Sequence, residues 1–202
     1  MTTLKAEKRD MSVKAKKLRR EGYVTGNIFG KEIEGSIPVK IEKKEAERLL
    51  KTNFKGSRIA LNVDGETYDV LIKEIDYNAL KAQVDEIDFQ ALVSGEPVHS
   101  VAEVILLNHD KALGVIQQHL EEIAYKALPS ALVEIVEIDV AQMKVGDSVK
   151  VKDLAIANDK DVSLITDPEE IVVSLAAPHN EELPEDETAE AAAAEGAEAT
   201  EK

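Results

Sequence analysis

Cysteine and tryptophan are both absent from this 202-residue chain, and aromatic residues make up only 3% of it. Without cysteine there is no disulfide staple, thiolate metal site or cysteine nucleophile, and a reducing compartment suits the composition. With so few rings, any contact with RNA must rest on cations and hydrogen bonds more than on stacked bases. Long apolar runs are missing too. No window approaches the roughly 18 uninterrupted apolar residues of a membrane span, and the charged segment from Met1 to Arg20 holds no apolar stretch that could act as a signal peptide. The expectation is a soluble, cytoplasmic protein with no membrane partner.

Catalytic signatures are equally scarce. Neither of the glycine-rich phosphate-binding loops occurs, nor does the glycine-flanked serine of hydrolases. His99, His109 and His119 recur at ten-residue intervals, which fits neither a helical metal pair nor a zinc spacing, and with His179 they read as ordinary surface or packed residues. Carboxylates are abundant, but in so acidic a chain their proximity in sequence says almost nothing about catalysis. Hence no catalytic residue, metal, cofactor or small-molecule substrate is expected.

What the chain does have is charge, unevenly placed. Its 40 acidic and 25 basic residues give a net charge of −15, which excludes a uniformly basic nucleic-acid binder. From Met1 to Leu92 there are 18 basic and 16 acidic residues, with eight of the cations in the first twenty positions. From Val93 to Pro178 the balance is 6 to 15, and from His179 to Lys202 it is 1 to 9. That last stretch has too few large apolar residues to offset its ordering entropy and reads as a disordered acidic tail, a solubilising segment or a competitor for the basic end.

The apolar pattern predicts a mainly β chain. Tyr23–Phe29 and Ser36–Ile41 read as short strands, with Pro38 suggesting a sheet edge. Glu42–Lys51 reads as a short helix striped by Ala46, Leu49 and Leu50. Ser57–Val63 and Thr67–Ile75 flank Asp64-Gly65, a tight hairpin signal. Val84, Ile87, Phe89 and Leu92 mark another strand, and Ser94-Gly95-Glu96-Pro97 marks a domain boundary. Beyond it lie an apolar stretch at Val98–Leu107 and a segment at Val115–Leu128 that periodicity leaves open between strand and helix. Strands at Val133–Val140, Val149–Val151, Val162–Ile165 and Ile171–Leu175 complete a series spaced by turns. The expected fold is a small N-terminal β-barrel with a short helix over residues 1–93, a β-rich, sandwich-like domain over 94–178, and the tail over 179–202.

The densest constellation is Lys14, Lys16, Lys17, Arg19 and Arg20, five cations within seven positions, whose field phosphate oxygens would complement despite the acidic total. The same residues suit a solvated helix with Leu18 docked on the core. Together with Gly22-Tyr23 and Phe29-Gly30, this segment resembles the opening of the bacterial large-subunit ribosomal protein twenty-five family, in its long two-domain form, the general stress protein Ctc. Ile87-Asp88-Phe89 is similar to the end of the family's His-Val-Asp-Phe signature, and Glu137–Val140 and Val145–Leu154 resemble its C-terminal domain. The likeness runs from about residue 4 to residue 176.

The resemblance implies a structural protein, not an enzyme, whose barrel binds 5S rRNA around internal loop E among large-subunit proteins. It assigns Lys16, Lys17 and Arg19 to the RNA backbone, with Lys14 and Arg20 adding charge beside them. Phe29 stands where Tyr is usual, Gly30 keeps the turn after the strand, and Asp88 joins an RNA-facing polar cluster. Thr25 replaces a usual Pro. Asp76 and Glu86 replace a usual Gln and His, and so place two extra acids on the expected RNA face. The alternative is a stress-associated adaptor of the same fold that binds ribosomes conditionally, or a protein partner.

Overall fold

The computed structural model describes residues 2–112 and 114–177; the acidic tail over 179–202, with His179, lies outside the described residues. The chain is mainly β. Its first half begins with a strand absent from the sequence reading, β1 (Thr3–Lys8), in which Leu4 and Ala6 turn inward while Lys5 and Glu7 face out. A six-residue helix, α1 (Ala15–Arg20), follows, then β2 (Tyr23–Phe29), β3 (Ser36–Glu42), α2 (Lys43–Leu49), β4 (Arg58–Val63), β5 (Glu66–Asn78) and β6 (Gln83–Ala91).

The six strands close into a barrel in the order β1-β3-β2-β6-β5-β4, with β1 returning to β4 as a parallel pair. A closed barrel has no edge, so Pro38 is not on one. It pairs with Asn27 of β2, and on its other side, just past the last β1–β3 register pair, Lys8 with Val39, its carbonyl accepts from the Arg9 N–H at 2.9 Å, so the N–H it lacks falls where that ladder ends. At the β4–β5 turn Asp64 and Gly65 both have positive φ, 50° and 99°, the twist that a two-residue hairpin demands. Alternation carries Ile59, Leu61 and Val63 of β4 into one core with Val24, Ile28, Ile87 and Phe89.

Two residues break the β5–β6 ladder. Ile72 pairs with Phe89 and Glu74 with Asp88, so Lys73 is an extra residue on β5; Asp76 pairs with Glu86 and Tyr77 with Val84, so Asp85 is an extra residue on β6. Each is a β-bulge, which re-aims the side chain and backbone groups it carries.

The second half contains β7 (Val98–Leu107), β8 (Val115–Gln118), β9 (Glu122–Ala127), β10 (Ile135–Asp139), β11 (Ser148–Lys150), β12 (Val162–Leu164) and β13 (Ile171–Ala176). The segment left open by periodicity is two strands, β8 and β9, joining different sheets. One sheet runs β10-β7-β9-β12 and the other β11-β13-β8. Ile123 and Tyr125 of the first share a core with Val172 and Val173 of the second. Tyr125 is fully buried, and its hydroxyl donates to the Val133 carbonyl and accepts from the Val133 N–H, both at 2.8 Å, so its polar tip is satisfied inside.

The two halves meet at a polar joint. The Glu134 carboxylate accepts from the Ser57 hydroxyl at 3.2 Å and the Arg58 N–H at 3.3 Å. Arg58 in turn forks onto Asp69 and donates to the Pro129 carbonyl at 3.3 Å. The bulge residue Lys73 reaches the His99 carbonyl at 2.9 Å. Gly56 sits in this seam with φ +89°, and a Cβ there would fall 2.0 Å from the Val101 carbonyl oxygen. Gly56→Ala is therefore expected to cost about 2 to 4 kcal/mol, the left-handed backbone penalty plus the overlap. Urea unfolding measures it, and a loss under about 1 kcal/mol would show that the seam yields freely.

Candidate nucleic-acid interface

The basic helix is too short to persist alone and has no side-chain N-cap, so tertiary contacts must hold it. Leu18, buried, supplies one. Arg19 supplies the other. Its Nε donates to the Asp85 carbonyl at 3.0 Å, and its Nη2 donates to Thr25 Oγ1 at 3.3 Å and pairs with Glu86 Oε2 at 3.2 Å. The bulge at Asp85 presents a carbonyl that also accepts from the Thr25 hydroxyl at 3.4 Å. Thr25 is fully buried beneath this contact, although it lies on the outer side of the barrel wall.

The sequence-predicted residues thus separate. Lys14, Lys16, Lys17 and Arg20 are exposed, while Arg19, assigned from resemblance to the RNA backbone, spends its donors on the barrel. Lys17 lies 3.8 Å from Glu21 in a solvent-exposed pair that leaves it available. Helix geometry puts Lys16 and Arg20 one turn apart on one side. Lys5 and Lys8, counted in the same basic segment, sit instead on β1.

Beside α1, the outer face of β2, β6 and β5 is polar. Asn27 opposes Asp88 in register and donates to its Oδ1 from both the backbone N–H at 3.2 Å and the side-chain Nδ2 at 3.3 Å. Glu86 stands directly opposite Asp76, as Asp88 stands opposite Glu74. Glu74 is a fourth acid on this face, one that sequence reasoning missed. Glu86 is compensated by Arg19, so the extra repulsion falls mainly on the exposed Asp76. Asp85 bonds inward along the rim: Asn78 donates to its Oδ2 and Gln83 to its Oδ1, both at 3.0 Å, and Gln83 accepts from Lys43. The Asn78 bond first, then Gln83 and the charges of Arg19 and Lys81, hold the Asp85 carboxyl below the usual aspartate range.

Phe29 and Gly30 lie at the far end of β2, both half-buried. Gly30 opens a turn closed by the Ile33 N–H, and its conformation is ordinary. Its smallness serves packing, since a Cβ would meet that of Ala91 at 2.9 Å. Among the described residues no group of His, Cys, Asp and Glu is arranged to hold a metal ion.

These features define a mainly β protein in which a closed barrel carries an anchored basic helix and is joined to a second β unit. The Ribosomal L25p family model matches residues 4–89, and the model of the ribosomal protein TL5 C-terminal domain matches residues 97–179. The large ribosomal subunit protein bL25 of Carboxydothermus hydrogenoformans is 34% identical over 192 residues, covering 90% of this chain and 95% of its own. The bL25 proteins of Caldanaerobacter subterraneus and Bacillus pumilus are each 31% identical, over 95% and 94% of this chain and 97% and 92% of theirs. The chain belongs to the bL25 family of large-subunit ribosomal proteins, in the long form that carries a TL5-type C-terminal domain, and with that family it is a structural protein and not an enzyme.

Arg19→Ala is expected to lower stability by about 1 to 2 kcal/mol, because the Asp85 carbonyl, Thr25 and Glu86 all lose a donor. Lys16→Ala should change it by less than about 0.5 kcal/mol. Denaturant titration separates the two. Because Asp85 titrates lower in the folded state, its contribution is present above the unfolded aspartate pKa and is lost as pH falls through the folded one. Asp85→Asn should therefore flatten the acid side of the melting-temperature profile below about pH 4.

Proposed function

We propose that this chain binds 5S rRNA around internal loop E, as a constituent of the large ribosomal subunit in the cytoplasm, with rRNA and neighbouring ribosomal proteins as its partners. The observation that carries the reading is the division of labour on α1: Leu18 and Arg19 hold the helix, leaving Lys14, Lys16, Lys17 and Arg20 in solvent. Flexible lysines act on phosphates as point charges, and Arg20 can fork onto one. Arg19 then positions these cations instead of touching RNA. Asp88, oriented by Asn27, is suited to accept from a ribose 2′-hydroxyl or a base amino group, contacts a carboxylate can make where phosphate would be repelled. Phe29 offers a ring edge at the end of the same strand. Residues 1–93 form the RNA-binding unit in this reading. The domain over 94–178, with its acidic excess, faces other partners.

Binding of the full chain to purified 5S rRNA, measured across a salt series, tests this. Four phosphate contacts give a log-log slope of about −3 to −4, and Lys17→Ala should shallow it by about 0.7 to 0.9. A slope near zero would overturn the reading. Asp76→Gln should tighten binding by about fivefold, since it removes an uncompensated charge from the face. Glu86→Gln should give no such gain, because it removes a charge that Arg19 already offsets and leaves the guanidinium a weaker, neutral acceptor. Constitutive comigration with large subunits is expected in growing and in stressed cells alike; a pool that joins ribosomes only under stress would favour the conditional adaptor.

A further inference from the structure

A cleft of about 780 Å3 opens between the end of α2, the outer part of the β5–β6 hairpin and the β7–β9 sheet, and it shares no residue with α1. One side is apolar, formed by Leu50, Phe54, Ile75, Tyr77 and Val84. Tyr77 is 59% exposed there, a large ring with little covering it. The rim carries five carboxylates, Glu47, Glu74, Glu103, Glu121 and Glu122, against Lys51 and Lys55. Lys55 is spent on Glu122 at 2.7 Å. Burial, and then the charges of Glu122 and Glu121, push the Glu103 carboxyl up, so this part of the rim repels itself and a cation would relieve it.

Such a rim repels phosphate, which argues against nucleic acid as the occupant. An apolar wall of this size under a negative rim complements a polypeptide that carries cations and a large apolar side chain together. We propose that the cleft docks a basic, apolar-bearing segment of a neighbouring protein, giving the molecule a protein-binding surface distinct from its basic helix. The occupant's Lys or Arg side chains would meet Glu103 and Glu121, and its apolar side chain would lie against Tyr77 and Phe54. The surface has its own grounds and does not depend on which RNA the helix binds.

The test is a titration of the isotope-labelled full chain with a short probe peptide of alternating Lys and Leu, followed by backbone amide shifts. Shifts at Phe54, Tyr77, Ala82 and Glu103 are expected. The double variant Glu103→Gln with Glu121→Gln, which removes repulsion and keeps side-chain size, should weaken binding about fivefold or more at low salt. Tyr77→Ala should weaken it at high salt as well, where the apolar part dominates. Shifts confined to residues 179–202 would overturn the proposal. So would equal affinity in the Gln variant, or a single-stranded RNA oligonucleotide that perturbs the cleft amides as strongly as the peptide.

Discussion

The hydrogen bonds from Arg19 to the bulged stretch of β6 are the constraint on which the surface of this protein depends. A helix of six residues with several like charges has no reason to stay folded in water, and mutual repulsion among its lysines works against it. Leu18 gives it an apolar foothold, but a single leucine fixes neither rotation nor tilt. Arg19 does both, because its planar fork meets a carbonyl, a hydroxyl and a carboxylate at defined positions. The carbonyl is available because Asp85 is an extra residue in its strand.

The two bulges of the β5–β6 pair divide the work of the barrel. Asp85 turns one backbone group toward the basic helix. Lys73 turns a side chain toward the second half, where it caps the His99 carbonyl beside the Gly56 seam. The pair is thus both the wall behind the proposed RNA surface and part of the joint that orients the C-terminal half. It also explains how a chain with net charge −15 can offer cations to phosphate: acids near the helix are bonded inward, Glu86 to Arg19 and Asp85 to Asn78 and Gln83, so their charge is locally offset. Away from the helix, at the rim of the cleft between the β5–β6 hairpin and the β7–β9 sheet, the acids outnumber the cations and suit a partner of opposite sign.

Much of this was legible in the residues. The Asp64-Gly65 hairpin, the strand at Tyr23–Phe29 and the helix that follows β3 are legible from turn chemistry and periodicity, and the order of motifs points to the family. β1 is hard to read in sequence because its inward alternation consists of only Leu4 and Ala6, set among charged residues. Val115–Leu128 is ambiguous in sequence because its break lies in three residues, His119, Leu120 and Glu121, that no turn dipeptide announces. The hold of Arg19 on the barrel is invisible in sequence for a deeper reason: there it is one of five similar cations, and the Asp85 carbonyl and Glu86 that set it apart lie more than sixty residues away. A signal did exist, since Val84 and Ile87 are separated by three positions where a regular strand requires two, and that phase break marks the bulge at Asp85. Glu86 likewise looked like pure repulsion until its partner was known.

In the proposed mode of binding, Arg19 positions the basic helix while its neighbours meet the RNA. The most direct test of this mode is a nuclear magnetic resonance titration of the full chain with 5S rRNA, reading the Arg19 Nε–H side-chain signal alongside the amides of Lys16 and Lys17. The Lys16 and Lys17 signals are expected to move with added RNA while Arg19 Nε–H, held by the Asp85 carbonyl, stays in place and remains protected from exchange. A large shift or loss of protection at Arg19, showing that it leaves Asp85 and Glu86 for a phosphate, would contradict it.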